Sequence, residues 1–169
     1  ASRKMTICHI QGYLAINNLP STISQPNSVW EAQGMKRPNY IVQMKKDAER
    51  AERFTRMLYE LHGPLAEKLA ESLDMTNVTR LMDLGGGSGV VSLALLKCHP
   101  NLNATVVDIE NVCTVGEKIA KHHSVYDRIT YYAIDFVQDD LPQGFDMIIE
   151  CDVGVYTQEL FRKVWTALN

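Results

Sequence analysis

The sequence predicts an α/β fold built on a doubly wound, mostly parallel sheet, preceded by a helical segment. Four short β-rich segments each end at or beside an acidic residue, and stretches of helical pattern follow the first two. The fourth segment, Phe145–Cys151, is almost continuously apolar, as strands buried on both faces of a parallel sheet are. Alternating strands and helices of this kind indicate an α/β domain.

The most specific feature is a glycine-rich turn after the first strand. Asp83 ends the strand, and Gly85, Gly87 and Gly89 follow it before an apolar run that predicts a helix. Glycine is used where the chain takes a positive φ or where a ligand presses against bare backbone. We therefore expect a nucleotide-like ligand across the strand end, facing the amides of the helix N-terminus. A tight turn without a ligand is the alternative.

The glycine spacing separates two classes of nucleotide ligand. A dinucleotide fingerprint needs a third glycine three residues after the second. That position is Val90 or Ser92 in the two possible registers, so the pattern of a nicotinamide-dependent oxidoreductase fails. The order acid-x-Gly-x-Gly-x-Gly over Asp83–Gly89 instead resembles motif I of class I S-adenosylmethionine-dependent methyltransferases.

A second acid lies at the spacing that this resemblance requires. The β-rich run from Asn103 ends in Asp108, 19 residues beyond Gly89. In α/β nucleotide folds, an acid at the end of the second strand, about 20 residues on, accepts hydrogen bonds from ribose hydroxyls. Two carboxylate oxygens suit the two donors of a diol, so we predict this role for Asp108, with Glu110 in reserve. An N-cap role for Asp108 is compatible with it.

The third strand, over 128–134, ends in the dipeptide Asp135-Phe136. An acid and an apolar side chain at this strand end can hold an adenine ring. Asp135 would accept a hydrogen bond from the exocyclic amine, and Phe136 would pack on the ring. Ordinary burial in the core is an equal alternative for the aromatic side chain.

Residues from about 60 to 169 are most similar to the small-molecule O-methyltransferases of the plant caffeate and acetylserotonin type. The matching stretches are Leu81–Gly89, Val106–Val112, and Asp135-Phe136 before Leu141-Pro142. The resemblance implies the first four strands of a Rossmann-like sheet, S-adenosylmethionine as the cofactor, and methyl transfer to a small-molecule acceptor through oxygen. The cofactor-binding residues that it implies lie at strand ends or in the turn: Asp83, Gly85, Gly87, Gly89, Asp108, Asp135 and Phe136.

The sequence departs from that family after the fourth strand. Those enzymes usually have a His-Asp pair there, in which the histidine is the general base, but residues 151–158 contain no histidine. The remaining candidates for a base are Glu150, Asp152 and Tyr156. A helix cap or a surface position is an equal alternative for each of them.

The second departure is length, because the family sheet has seven strands and this chain stops at Asn169, in the helix after strand four. We therefore expect residues 63–169 to form a truncated cofactor-binding domain, and residues 1–62 a helical and loop segment. Little turnover is expected without the acceptor-binding part, since alignment of the acceptor provides most of the catalysis. An open edge on Phe145–Cys151 predicts self-association, for instance as a dimer, or a partner that covers it.

The N-terminal segment contains one clear helical pattern. Apolar residues recur at helical spacing over about 40–62. Gly63-Pro64 is expected to end this helix, and Pro64 to open a second helix over 65–73. The stretch 17–28 is rich in turn residues and predicts a loop.

Composition narrows the function class further. The net charge is −3 at pH 7 with acids and bases mixed, so no nucleic-acid-binding face is expected. No apolar run has the length of a membrane span, and no signal-peptide pattern is evident. Four cysteines and five histidines show no metal or disulfide spacing, which favours a reducing, cytoplasmic location without a metal. Besides a methyltransferase, an oxidoreductase and a non-catalytic interaction module of the same fold remain open.

Overall fold

The computed structural model describes residues 39–151, 153 and 157–168, and the backbone of residues 4–8. Its centre is a parallel sheet in the order β1-β5-β2-β3-β4. The strands are β1 Lys4–Cys8, β2 Arg80–Leu84, β3 Asn103–Asp108, β4 Ile129–Ala133 and β5 Met147–Cys151. The helices are α1 Tyr40–Lys46, α2 Ala48–Ser72, α3 Val90–Cys98, α4 Glu110–Ala120 and α5 Gln158–Ala167, with a 3₁₀ turn at Tyr126–Arg128.

The sheet is doubly wound, which confirms the predicted fold class. From β2 in the middle, the chain runs outward through β3 and β4, and then returns to place β5 on the other side of β2. The strand order therefore reverses between β2 and β5. In open α/β sheets, ligands bind beyond the carboxyl ends of the strands at such a reversal.

Hydrophobic cores cover both faces of the sheet, as the apolar strands predicted. Neighbouring residues of one strand point into different cores, with Leu81 on the face covered by α2, α3 and α4, and Met82 on the face covered by α5. Ile148 and Ile149 divide in the same way. Among the described residues, no helix is long and apolar enough to cross a membrane.

One edge of the sheet differs from the prediction. β1 pairs in parallel with β5, from Lys4 opposite Met147 to Cys8 opposite Cys151. The expectation of an open edge at this strand was therefore wrong, because backbone from the N-terminal segment occupies it. The expectation of only helix and loop before residue 62 was also wrong at this point. The predicted loop at 17–28 lies outside the described residues.

The predicted helix break was also wrong. The first helix ends earlier, at Lys46, and the next residue, Asp47, caps α2 by accepting a 2.9 Å hydrogen bond from the Arg50 amide. α2 then continues through Gly63 and Pro64 to Ser72, so the predicted boundary at residue 62 lies inside one helix. An internal proline costs roughly 3 kcal/mol. Burial of the α2 face against α3 and α4, through Ala51, Thr55, Ala66 and Ala70, outweighs this cost.

Candidate functional site

The predicted site residues gather at the carboxyl edge of the sheet. Asp83 lies in β2 opposite Val106 of β3 and Ile149 of β5, and Asp108 is the last residue of β3. Asp135 follows β4, which pairs with β3 up to Asp108. Parallel pairing thus brings acids from separate strands to the point where the strand order reverses.

The glycine turn between β2 and α3 has a backbone that only glycine adopts readily. Gly85, Gly87 and Gly89 all have φ between +58° and +76°. Gly86 is needed for another reason, since a Cβ there would lie 2.7 Å from both carboxylate oxygens of Asp83. The turn therefore folds directly over that carboxylate. Sequence reasoning missed Gly86, although the unbroken run of three glycines was a signal for it.

Asp83 is a buried carboxylate with one oxygen unpaired. Its side chain accepts a 2.7 Å hydrogen bond from the Ser92 hydroxyl through Oδ2, whereas Oδ1 has no partner among the described residues. The pKa of Asp83 is raised to about 6, mainly by burial; the hydrogen bonds from Ser92 oppose the rise, and the nearby Asp108 and Glu150 carboxylates add to it. Because buried polar atoms are nearly always paired, this oxygen is suited to a donor that a ligand supplies.

Asp108 connects the end of β3 to the glycine turn. Its Oδ2 accepts a 3.0 Å hydrogen bond from the Gly87 amide, and Oδ1 accepts a 2.7 Å bond from the Ile109 amide. Burial raises the pKa of this carboxyl to about 6, and the two backbone donors oppose the rise. Ile109, and not Asp108, is the N-cap of α4. Glu110, the reserve candidate, is exposed in the first turn of that helix.

A cavity of about 640 Å³ lies beside Asp108, at the ends of β3 and β4. Asp135 lines it, whereas Phe136 is 6% exposed and packs in the core on the α5 side. That burial is what the core-packing alternative predicts for the aromatic side chain. The other lining residues come from three elements and one turn: Lys45, Ile109, Glu110, Asn111, Ala133, Ile134 and Asp139.

Lys45 is a site residue that could not be found from the sequence. Its Nζ lies 2.6 Å from Oδ2 of Asp135, 90 residues away along the chain. The Lys45 ammonium is the main reason why the pKa of Asp135 lies below its usual range. A charged pair therefore forms one wall of the cavity.

Of the three candidates for a general base, the structure describes one, Glu150. Glu150 is 3% exposed, and its Oε1 accepts a hydrogen bond from the Val153 amide. Asp152 and Tyr156 lie outside the described residues. Within the described part of the chain, no three His, Cys, Asp or Glu side chains are arranged to hold a metal ion.

A family model for the O-methyltransferase domain matches residues 21–154. The chain is 39% identical over 107 residues to 3-hydroxy-5-methyl-1-naphthoate 3-O-methyltransferase of Streptomyces sahachiroi, covering 63% of this chain and 31% of that protein. It is 32% identical over 107 residues to L-tyrosine C(3)-methyltransferase of Streptomyces lavendulae, covering 60% and 29% respectively. The chain thus spans about a third of the length of these curated relatives.

Solved structures share the fold at lower identity. The crystal structure of TnmH superposes with a TM-score of 0.72 at 22% identity, over 90% of this chain and 46% of that one. The crystal structure of human N-acetylserotonin methyltransferase in complex with SAM gives a TM-score of 0.69 at 20% identity, over 95% and 47%. The α/β architecture is therefore that of known methyltransferases.

Proposed function

Because this chain belongs to the O-methyltransferase domain family, we propose that it binds S-adenosylmethionine and supplies the cofactor-binding part of a small-molecule O-methyltransferase. The observation that supports this most is the glycine turn folded over two buried carboxylates, one of which has an unpaired oxygen. A turn that served only to connect β2 to α3 would have no need of such an oxygen.

The residues present fit the parts of this cofactor. The left-handed glycines leave bare backbone for its methionine and ribose portion. Asp83 Oδ1 is suited to a cationic or N–H donor, which the amino group of the methionine moiety provides. Asp108 has further acceptor capacity on both oxygens for the ribose hydroxyls, besides the two amide bonds that fix it.

We place the adenine in the cavity beside Asp135, which accepts a hydrogen bond from the exocyclic amine. Ala133 and Ile134 line that cavity and offer apolar contact to the ring. Phe136 is buried behind them, so we propose that it supports the turn containing Asp135 from the core side.

The bound cofactor supplies an already activated methyl group, so the protein's main task is to align an acceptor. The carboxylates of Asp83, Asp108 and Glu150 lie near one another and favour a cationic ligand. Glu150 is fully buried and holds the Val153 amide, so we assign it to positioning of the segment after β5 and not to proton abstraction.

We also propose a cytoplasmic location and a small molecule as acceptor; self-association, if it occurs in the complete enzyme, would use a surface other than the β5 edge, which β1 covers. The cytoplasmic location is supported by Cys98 and Cys113, neither of which forms a disulfide. The small-molecule acceptor is supported by the names of the relatives, which include a naphthoate 3-O-methyltransferase.

Calorimetry with S-adenosylmethionine and S-adenosylhomocysteine tests the cofactor proposal on this chain. We expect both to bind, and Asp108→Ala to weaken binding by about 10- to 100-fold, because a hydrogen bond to a charged group is worth roughly 1.5–3 kcal/mol. Asp127→Ala, at an exposed acid in the 3₁₀ turn, is the matched control and should bind as the unchanged chain does.

Two results would contradict the proposal. Unchanged affinity in a folded Asp108→Ala variant would remove Asp108 from the site. Failure of the unchanged chain to bind either compound would overturn the assignment of the cofactor, and a fluorescence titration with NADH would then test the oxidoreductase alternative.

A further inference from the structure

Lys45 is the cationic side chain among the residues that line the cavity assigned above to adenine. It comes from α1, whereas every other lining residue lies at the end of β3 or β4 or just after them. Its ammonium bonds Asp135 at 2.6 Å, the same carboxylate that we assign to the exocyclic amine. An acceptor and a donor thus lie side by side on one wall.

The backbone of Lys45 is anchored, so its position is not that of a freely moving surface side chain. Asn111 Nδ2 donates to the carbonyl oxygens of Met44 at 2.8 Å and of Lys45 at 3.2 Å. Met44 is 3% exposed and packs against Ile109 and Val112. The C-terminal end of α1 is therefore attached to the start of α4, directly beside the cavity.

Asp135 is held more tightly still. Its Oδ1 accepts a hydrogen bond from the Val137 amide at 3.2 Å, and its own amide donates to Asp139 Oδ2 at 3.0 Å. Its carbonyl oxygen accepts from the amides of Gln138 and Asp139. The Asp135 carboxylate is thus a rigid acceptor, while Lys45 has three N–H donors and uses one of them on Asp135.

This arrangement is complementary to one edge of adenine. That edge presents an amino donor next to a ring nitrogen that accepts. We propose that Lys45 donates a hydrogen bond to the ring nitrogen beside the amine that Asp135 accepts, so that the two residues together select adenine. The proposal rests on the cofactor assignment above and adds a specificity-determining residue to it.

A base with the opposite pattern fits this wall poorly. Hypoxanthine has a carbonyl oxygen in place of the amine, so in the position of adenine it would direct an acceptor at the Asp135 carboxylate; its N1–H can donate to that carboxylate only if the whole base shifts along the wall. Because the Asp135 side chain is fixed by the Val137 amide, it cannot turn away without losing that bond. S-inosylhomocysteine should therefore bind at least about tenfold more weakly than S-adenosylhomocysteine.

The test is calorimetry with S-adenosylhomocysteine on the unchanged chain, on Lys45→Met and on Lys46→Met. Methionine keeps an unbranched side chain that is one atom shorter and removes the donor. Lys46 is the next residue of α1, is exposed and does not line the cavity, so its variant controls for the lost charge. We expect about a tenfold loss for Lys45→Met and less than twofold for Lys46→Met.

Analogues with C–H in place of one ring nitrogen separate a direct contact from a general charge effect. The 7-deaza and 1-deaza forms of S-adenosylhomocysteine are titrated into the unchanged chain and into Lys45→Met. If Lys45 bonds one of these nitrogens, that analogue binds the unchanged chain about tenfold more weakly and loses nothing further in Lys45→Met.

The outcomes distinguish this inference from the proposed function. Binding of S-adenosylhomocysteine that is equal in the unchanged chain and in Lys45→Met overturns the role of Lys45 and leaves the cofactor assignment intact. If Lys45→Met and the loss of a ring nitrogen weaken binding independently for both deaza analogues, the role of Lys45 is likewise overturned and the cofactor assignment is left intact. No binding to the unchanged chain overturns both.

Discussion

The Tyr131 hydroxyl donates a 2.7 Å hydrogen bond to the carbonyl oxygen of Ser88, so that a residue of β4 holds the glycine turn that follows β2. Glycines make room for this contact. A Cβ on Gly89 would lie 2.6 Å from the Tyr131 hydroxyl, and one on Gly116 would meet the ring and lie 2.9 Å from the Gly87 carbonyl oxygen. The Tyr131 side chain therefore packs against the glycine turn and helps to hold its shape.

Removal of this hydroxyl should loosen the turn. In Tyr131→Phe, the Ser88 carbonyl oxygen loses its hydroxyl donor while the ring stays in place. We expect the free energy of unfolding to fall by about 1 kcal/mol, and affinity for S-adenosylhomocysteine to fall several-fold. Urea unfolding and calorimetry measure the two effects. Tyr132→Phe is the control, because Tyr132 is 44% exposed and should change neither quantity. Equal effects of the two variants would contradict the role of Tyr131.

Two glycine-to-alanine changes within helices should have opposite effects on stability. Gly116→Ala in α4 forces a methyl group against the Tyr131 ring and the Gly87 carbonyl oxygen, and overpacking of this kind costs roughly 1–3 kcal/mol. In Gly63→Ala in α2, the added Cβ has no neighbour within 4 Å. This variant should stabilise the folded protein by about 0.5–1 kcal/mol, because alanine favours the helix more than glycine does. Thermal unfolding compares the variants, and a stable Gly116→Ala protein would mean that the Tyr131 ring moves without cost.

The strands and their terminal acids were predictable because each depends on a local signal. Apolar runs that end in an acid located β2 and β3, and parallel pairing then brings Asp83 and Asp108 to one edge. The helix through Pro64 was not predictable in this way, since a local breaking rule was outweighed by burial against helices distant in sequence.

The surroundings of these acids lay beyond sequence reasoning because they depend on long-range contacts. Asp135 and Lys45 are 90 residues apart, and Tyr131 and Ser88 are 43 residues apart. Neither pair has a spacing pattern that would reveal it. The need for glycine at 116 follows only from where the Tyr131 ring packs.

Stability without ligand should decrease as the pH rises through about 6. Burial raises the pKa of Asp83 from 3.8 to about 6, so the folded state holds a proton that the unfolded state has already lost. The stabilisation is fully present below about pH 4 and is lost as the pH rises through the folded value. Asp83→Asn keeps an acceptor for Ser92 and removes the titration. The free energy of unfolding of this variant, relative to that of the unchanged chain, should therefore rise on the order of 1–3 kcal/mol between pH 4.5 and pH 7.

Thermal unfolding of both proteins at several pH values measures this difference. Groups that do not interact with Asp83, such as His123, cancel when one melting curve is compared with the other, whereas Asp108, which is coupled to Asp83 and whose pKa is also raised to about 6, does not cancel in full. A difference in stability that stays constant from pH 4.5 to pH 7 would mean that Asp83 is already ionised in the folded protein at the lower pH.

The strand β1 should keep the sheet from self-association. It pairs with β5 along five residues, from Lys4 to Cys8, and so protects the backbone of an otherwise apolar edge strand. Without it, the edge presents unpaired N–H and C=O groups that another chain can join. Deletion of residues 1–8 should therefore raise the apparent mass in light scattering as the protein concentration rises, whereas deletion of residues 1–3, which leaves β1 in place, should not. If the deletion of residues 1–8 has the same apparent mass as the deletion of residues 1–3 at every concentration, this edge is protected in some way other than by β1.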